Sequence, residues 1–238
     1  MGILTFFRSR PTPCPYLPNR TEQQLFTELV APLVDETFQL LSRNGFRRTQ
    51  HIVYRPACPS CNACLPVRIV LGDFHFGTTW RRVLRKNEKV KVEDVGLRVS
   101  NEQFSLFRRY LRSRHKDSQM AKMNRVEYDE MILTSPVNTS IIEFRDPNNR
   151  LIACCISDRL DHGLSAVYTA FEPALHNRSL GSFTVLWQIQ YAQALKLDYL
   201  YLGFWVDGSA TMAYKSRFHP LEVFGPHGWN RPKTPQIK

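Results

Sequence analysis

Three thiols stand at strict three-residue spacing in the stretch RPACPSCNACLPVRI, residues 55–69: Cys58, Cys61 and Cys64. The whole chain carries six cysteines, so half of them fall in seven consecutive positions. Thiolates are soft ligands, and two-residue gaps let three sulfurs converge on one side of a loop, as in tetrahedral zinc sites and in iron–sulfur runs. The spacing does not separate zinc from a cluster. Two quieter outcomes use the same residues: reduced cysteines packed in a loop, or thiols that shape a pocket without metal. Cys154 and Cys155 lie in the apolar stretch LIACCISD, where burial is expected of at least one. The seven histidines show no H-x-x-x-H spacing that would add ligands.

A second chemical signal is charge. The chain of 238 residues has a net charge of +11. Residues 1–130 hold 22 Lys and Arg against 13 Asp and Glu, and residues 131–238 hold 10 against 8. Much of the excess lies between Thr78 and Arg125, interleaved with Trp80, Phe104, Phe107 and Tyr110. Arg81, Arg82, Arg85, Lys86, Arg108, Arg109 and Arg112 therefore form the candidate contact set for a polyanion, most simply a nucleic-acid backbone, although a solvated helix face has the same composition.

The apolar fraction of 43% with 12% aromatics excludes a disordered chain. No stretch reaches eighteen uninterrupted apolar residues, and the apolar start is broken by Arg8 and Arg10, so the expectation is a cytoplasmic protein with no membrane span or signal. No G-x-S-x-G elbow for a nucleophilic serine is present.

These groups need elements to hold them. Thr21, with Gln24 as capping-box partner, and Pro32 read as the starts of two short helices over residues 21–45, ended by Gly45. QHIVYRP and LPVRIVL read as strands, which puts the cysteine run on the loop between them. A helix over TWRRVLRKN leads to a strand in KVKVEDVGLRV. Ser100 and Gln103 form a capping box for QFSLFRRYLRSRH, whose Phe104, Phe107 and Leu111 recur at helical spacing while Arg108, Arg109 and Arg112 fall largely on another face. TSIIEFRD, RLIACCISDRL and LSAVYTAFEP then alternate as strands around two tight turns, followed by a helix from RSLGSFTVLWQIQYAQALKL and an aromatic strand, DYLYLGFWV. A strand reached through a helical crossover should run parallel to the one before the helix.

Three meander strands, a helix entered through a small-residue loop and a returning strand make up the core of an acetyltransferase-like (GNAT) fold. The expected class is therefore α/β, with a mixed sheet in residues 76–238 preceded by a smaller α+β cysteine-containing region in residues 1–75. In acyl-CoA members the loop amides hold pyrophosphate at the helix N-terminus. Here Arg178-Ser179-Leu180-Gly181-Ser182-Phe183 keeps the Arg and the first Gly but ends on a bulky residue, so no coenzyme A is expected.

The blocks CPYLPNR (14–20), YRPACPSCNACLPVR (54–68), LSAVYTAFEP (164–173), RSLGSFTVLWQI (178–189), YLYLGFWV (199–206) and MAYKSRFHP (212–220) together resemble the bacterial aspartate/glutamate leucyltransferases, relatives of the eukaryotic arginyl-tRNA-protein transferases. The resemblance implies transfer of leucine from charged tRNA to proteins that begin with Asp or Glu, which marks them for proteolysis. It adds Cys14 as a fourth sulfur to Cys58, Cys61 and Cys64. It implies a reaction centre built from Tyr168, Glu172, Tyr214 and Lys215, with Arg178, Ser179, Gly181 and Ser182 at the aminoacylated 3′ end of the tRNA. Glu172 stands where such proteins usually place Asp. Arg55 and Arg68, flanking the cysteines, are candidates for the acceptor's acidic side chain. Two other readings use the same residues: a metal-containing nucleic-acid-binding protein with an idle core, and an N-acetyltransferase using acetyl-CoA.

Overall fold

Alternation and cross-strand partners, more than local propensity, decide the first third of the chain. The computed structural model describes residues 4–116, 118–206 and 208–232. It opens with β1 (Phe7–Arg8), β2 (Thr12–Pro13), β3 (Thr21–Glu22), β4 (Gln24–Glu28), helix α1 (Val34–Arg43), β5 (Arg47–Thr49), β6 (Ile52–Pro56) and β7 (Cys64–Val70). The helix expected after Thr21 is not there. Gln24–Glu28 is a strand, bonded antiparallel to β6 with Phe26 opposite Tyr54 and to β1 with Phe26 opposite Phe7. The helix-forming Glu and Gln residues of that stretch are overruled by two flanking strands, one of them nearly thirty residues away. The order β1-β4-β6-β5 forms one sheet, and β2-β3 a separate ribbon.

The rest of the chain gives α2 (Thr78–Lys86), β8 (Lys91–Asp94), α3 (Asn101–Arg114), α4 (Arg125–Leu133), β9 (Thr139–Arg145), β10 (Leu151–Leu160), β11 (Gly163–Phe171), α5 (Leu180–Ala194), β12 (Tyr199–Val206), β13 (Leu221–Gly225) and β14 (Gly228–Asn230). Helix α3 begins at the expected reciprocal cap: Gln103 N donates to Ser100 Oγ and Ser100 N to Gln103 Oε1. These strands form an eight-stranded sheet in the order β14-β13-β7-β12-β11-β10-β9-β8. Its strands β9, β10 and β11 are an antiparallel meander, and β12 returns parallel to β11, as the crossover requires. This is the GNAT-like topology of the α/β class. The division expected at residues 75/76 is crossed by β7, which sits inside the large sheet between β13 and β12.

Helices α2 and α5 cover one face, around Ile69, Leu186, Ile189, Leu200 and a Trp80–Phe218 stack with centroids 4.6 Å apart. Helices α3 and α4 cover the other, around Phe107, Tyr128, Ile141 and Ile156. Each such buried side chain contributes about 1.5–3 kcal/mol. The small sheet joins through Phe38, Leu41, Val53, Leu160 and Tyr201, and through a buried ion pair. Arg48 on β5 grips Asp158 on β10 with both arms, Nε to Oδ2 at 2.7 Å and Nη2 to Oδ1 at 2.6 Å. Among the described residues, no helix is long and apolar enough to cross a membrane.

Candidate functional site

Strands β11 and β12 are bonded only at their start, Gly163–Ser165 against Tyr199–Tyr201, and then part. The opening exposes backbone carbonyls of β11, and Arg47 of β5 fills its base. Arg47 Nη2 donates to Ala166 O at 3.3 Å and also to Val167 O. The guanidinium reaches this point past Gly203, which has φ +73° and follows a shift of register between β12 and β7. A Cβ at Gly203 would lie 2.8 Å from Arg47 Cζ and nearer still to Nη1, so only glycine leaves the passage open.

Lys215 lies in a short 3-10 turn, Ala213–Arg217, after β12. It is 4% exposed, and its Nζ donates to Phe204 O at 2.6 Å. Burial first, then the positive charge of Arg47, holds its pKa well below the usual lysine value. No carboxylate pairs with it among the described residues. Its neighbour Tyr214 keeps 41% of its surface open. The protein packed around that ring still pushes its phenol up to about 12. Tyr168 on β11 stands edge-on to Tyr110, with centroids 6.4 Å apart. Burial, and secondarily Tyr110, raises its phenol above the ordinary range. Arg47 is near enough to Tyr168, Tyr214 and Lys215 to act electrostatically on all three. Both phenols are thus protonated hydrogen-bond donors at neutral pH, whereas Lys215 is a nitrogen base poised to be neutral.

Glu172 ends β11 and caps the turn Pro173–Arg178. Its Oε2 accepts from Arg150 at 2.7 Å and from Arg109 at 3.1 Å. Burial alone would raise its pKa, but Arg150 and Arg109 outweigh it and keep the carboxyl below its usual value. It is an ionised anchor for two guanidiniums. The chain then reaches Ser179 at φ +53°, and α5 starts with no side-chain cap, so its first amides remain free to bind an oxygen. Arg178 is held by Asn87, Nε to Oδ1 at 3.1 Å, and Gly181 sits tight against Phe171. Ser182 is half-buried in the same first turn. Phe183 turns into the core, edge-on to Phe144 at 5.7 Å. Its bulk is not presented at the helix mouth, so steric blockage there gives no ground against a bound cofactor.

The basic helices end at this same loop. Arg81, Arg82, Arg85 and Lys86 are exposed on α2, and Lys86 Nζ donates to Asn177 O at 3.1 Å. Arg108 and Arg112 are exposed on α3, while Arg109 turns to Glu172. Both cationic faces therefore flank the passage from β11 into α5.

Cys14, Cys58, Cys61 and Cys64 line one opening with about 50 Å³ of room, together with Tyr16, Tyr54 and Phe204. Cys64 opposes Val206 in the β7–β12 ladder, so the cluster sits at the far end of β12, beyond the parted strands. Leu17 N donates to Cys14 Sγ at 3.4 Å. Burial, and then the other three thiols, pushes Cys64 up to about 12. The donor set matches a four-thiolate zinc or cluster site in kind and number. Among the described residues, however, no group of three or more His, Cys, Asp or Glu stands at metal-holding geometry.

The two arginines expected for the acceptor both have partners within the protein. Arg68 is closed in a cage: it bonds Glu222 at 2.8 Å and Tyr201 Oη at 3.3 Å, and lies 3.5 Å over Tyr199 and 4.4 Å over Trp229. Arg55, on β6, lies 5.1 Å over the ring of Phe46. Arg47 was missed. Its sequence signals are a glycine inside the aromatic strand YLYLGFWV, which marks close approach of another group, and two adjacent arginines opening a strand, which must point to opposite faces.

The profile for "Arginine-tRNA-protein transferase, N terminus" matches residues 12–82 and that for "Arginine-tRNA-protein transferase, C terminus" matches residues 102–225. A protein of Paramagnetospirillum magneticum named aspartate/glutamate leucyltransferase is 48% identical over 95% of this chain and 93% of its own length. One of the same name from Granulibacter bethesdensis is 45% identical over 96% of this chain and 85% of its own. Among solved structures, L-PGS from Bacillus licheniformis is similar at a TM-score of 0.49 and 11% identity, over 74% of this chain and 52% of that one.

Proposed function

This chain belongs to the arginine-tRNA-protein transferase family, and on that premise we propose that it transfers leucine from leucyl-tRNA to the amino terminus of proteins beginning with Asp or Glu. The observation that carries this reading is the 48% identity, over nearly the full length of both chains, to a protein named for that activity. The product bears an N-terminal leucine, a mark for proteolysis. The donor, a charged tRNA, is made in the cytoplasm, which is where the enzyme is placed.

The reaction is an ester aminolysis. The acceptor's neutral α-amine, with an ordinary pKa of about 7.7–8.0, attacks the aminoacyl carbonyl; the C–N bond forms, the ester C–O bond breaks, and the ribose hydroxyl leaves with a proton. Orientation of two bound reactants can supply about 7 kcal/mol or more, so a covalent nucleophile is not required. Arg81, Arg82, Arg85, Lys86, Arg108 and Arg112 hold the tRNA backbone. The first turn of α5, with Arg178, Ser179, Gly181 and Ser182, receives its 3′ end. Lys215 takes the proton lost by the amine, its burial and the charge of Arg47 disfavouring the resting ammonium form. Tyr168 and Tyr214 donate to the developing oxyanion and the departing oxygen. Glu172 fixes Arg109 at the loop. Cys14, Cys58, Cys61 and Cys64 would hold a zinc ion or an iron–sulfur cluster, which supplies a cross-link between the N-terminal segment and the β6–β7 loop.

Mass spectrometry of Asp-, Glu-, Asn- and Lys-initiated peptides after incubation with a mixture of charged tRNAs tests the reading. The expected product is a leucine adduct on the first two only. An arginine or phenylalanine adduct would reassign the donor. An acetyl adduct when acetyl-CoA is the sole acyl donor would replace the mechanism.

A further inference from the structure

Arg47 is a cation with unused capacity. A guanidinium has five N–H donors, and here Nη2 alone is bonded, to Ala166 O and Val167 O. Among the described residues no carboxylate pairs with it, and Nε and Nη1 meet no acceptor. It is half-buried at the base of the opening between β11 and β12, where an unpaired charge is costly unless something arrives to meet it. The neighbouring amine, Lys215, likewise has no carboxylate partner among those residues. The glycine at 203, already favoured by its φ of +73°, also leaves room for this side chain to pass.

We propose that Arg47 is the residue that reads the acidic side chain of the acceptor's first amino acid, a role that rests on the leucyl-transfer reading above. An acceptor amino terminus entering between the parted strands meets the aminoacyl ester at the mouth of α5 and presents its side chain to Nε and Nη1. A carboxylate accepts a charge-assisted hydrogen bond from either free edge and offsets the charge of the guanidinium there. The neutral amide of Asn or Gln can accept one such bond but brings no charge to offset the guanidinium, so it is disfavoured although it has the same shape. Asp and Glu differ by one methylene, and the flexible guanidinium follows either.

The test pairs Arg47→Gln with Gly203→Ala, which keeps the arginine and displaces its head from the passage. Two quantities are measured: kcat/KM for otherwise identical Asp- and Asn-initiated peptides, and equilibrium binding of those peptides and of leucyl-tRNA to the folded proteins. Both variants should lose about 30- to 1000-fold in kcat/KM for the Asp peptide, chiefly in KM, with the Asp-to-Asn binding ratio falling toward one and leucyl-tRNA affinity unchanged. If Arg47→Gln does not fold, Gly203→Ala decides alone. A folded variant that keeps the wild-type ratio overturns the proposal, and so does a loss of tRNA affinity at constant ratio, which would make the anion a phosphate. Peptide binding is read without turnover, so an unmodified enzyme that prefers Asp over Asn but transfers no leucine would refute the activity and leave the assignment of Arg47 standing on the variants' binding.

Discussion

Arg47 and Arg48 are consecutive on one strand and face two different regions. Arg48 enters a closed junction: both its arms meet Asp158, Thr139 Oγ1 donates to the same carboxylate at 2.6 Å, and the side chains of the pair are 2% and 0% exposed. Arg47 enters the gap between β11 and β12 and, among the described residues, bonds only carbonyls. Strand alternation alone sends the two side chains to opposite sides. The closed charge welds the small sheet to the large one, and the open charge leaves a place for something from outside. Satisfaction of charge, more than burial, separates the structural part of this interface from the working part.

Perturbing each side should give opposite signatures. The largest effect is expected at Lys215, in the open region. Lys215→Met should lower kcat by about 10²- to 10⁴-fold, the usual range for loss of a general base. Stability at pH 7 should barely change, because removal of a buried amine offsets the loss of one hydrogen bond worth about 1 kcal/mol. The pH dependence follows from a folded pKa below the unfolded value of about 10.4. Between those two values the unfolded chain binds more protons, so wild-type stability rises with pH across that window, and the variant should lose this rise. A variant with intact kcat would remove Lys215 from the chemistry.

In the closed region, Asp158→Ala leaves Arg48 buried without a partner. The expected cost is about 3–5 kcal/mol, a drop in Tm on the order of 10 °C for a chain of this size. Calorimetry checks it. The protein that remains folded should keep its preference for acidic acceptors. If Asp158→Ala instead abolished that preference at unchanged stability, the two regions would not be separable.

The contrast also explains what could be read from sequence. The meander, the crossover helix and the parallel return strand were legible because each is a local pattern of alternation, turn residues and helical period. The junction was not. Gln24–Glu28 carries helix-forming residues and is a strand only because β6 and β1 lie beside it. Helix α4 was also missed: its cap, Asn124 with Glu127, is a capping box, but only Tyr128 and Ile132 of its face are buried. Glu172 was legible as a residue at the right strand end, yet its two guanidinium partners come from α3 and from the turn before β10, and pairing at that range has no sequence signature. Arg68 looked available from its place beside the cysteines and is enclosed by Tyr199, Tyr201, Glu222 and Trp229.

The donor side can be separated from both regions by salt. Replacing Arg81, Arg82 and Arg85 together by Gln removes up to three phosphate contacts, and the slope of log affinity for tRNA against log salt should shrink by about 2–3. Their exposure on α2 predicts little effect on folding. An unchanged slope in the folded variant would show that this face is only solvated.

The smallest effect sharpens the comparison most, because Glu172 is intermediate between the two kinds of charge. Its carboxylate is only 5% exposed, like Asp158, but its partners Arg109 and Arg150 are 46% and 54% exposed. Solvent therefore screens much of the attraction, and Glu172→Gln should cost only about 1 kcal/mol at pH 7. The folded pKa is depressed, so this stabilisation is complete above the unfolded value of about 4.3 and is lost as pH falls through the lower folded value. Wild type and variant should then melt together in acid and apart at neutrality. The rate should fall less than about tenfold with an unshifted pH profile, since an anchored, ionised carboxylate orients Arg109 and carries no proton itself. A loss of several hundredfold at unchanged stability would make Glu172 the proton acceptor in place of Lys215, and the working region would then extend from the gap between β11 and β12 to the end of β11.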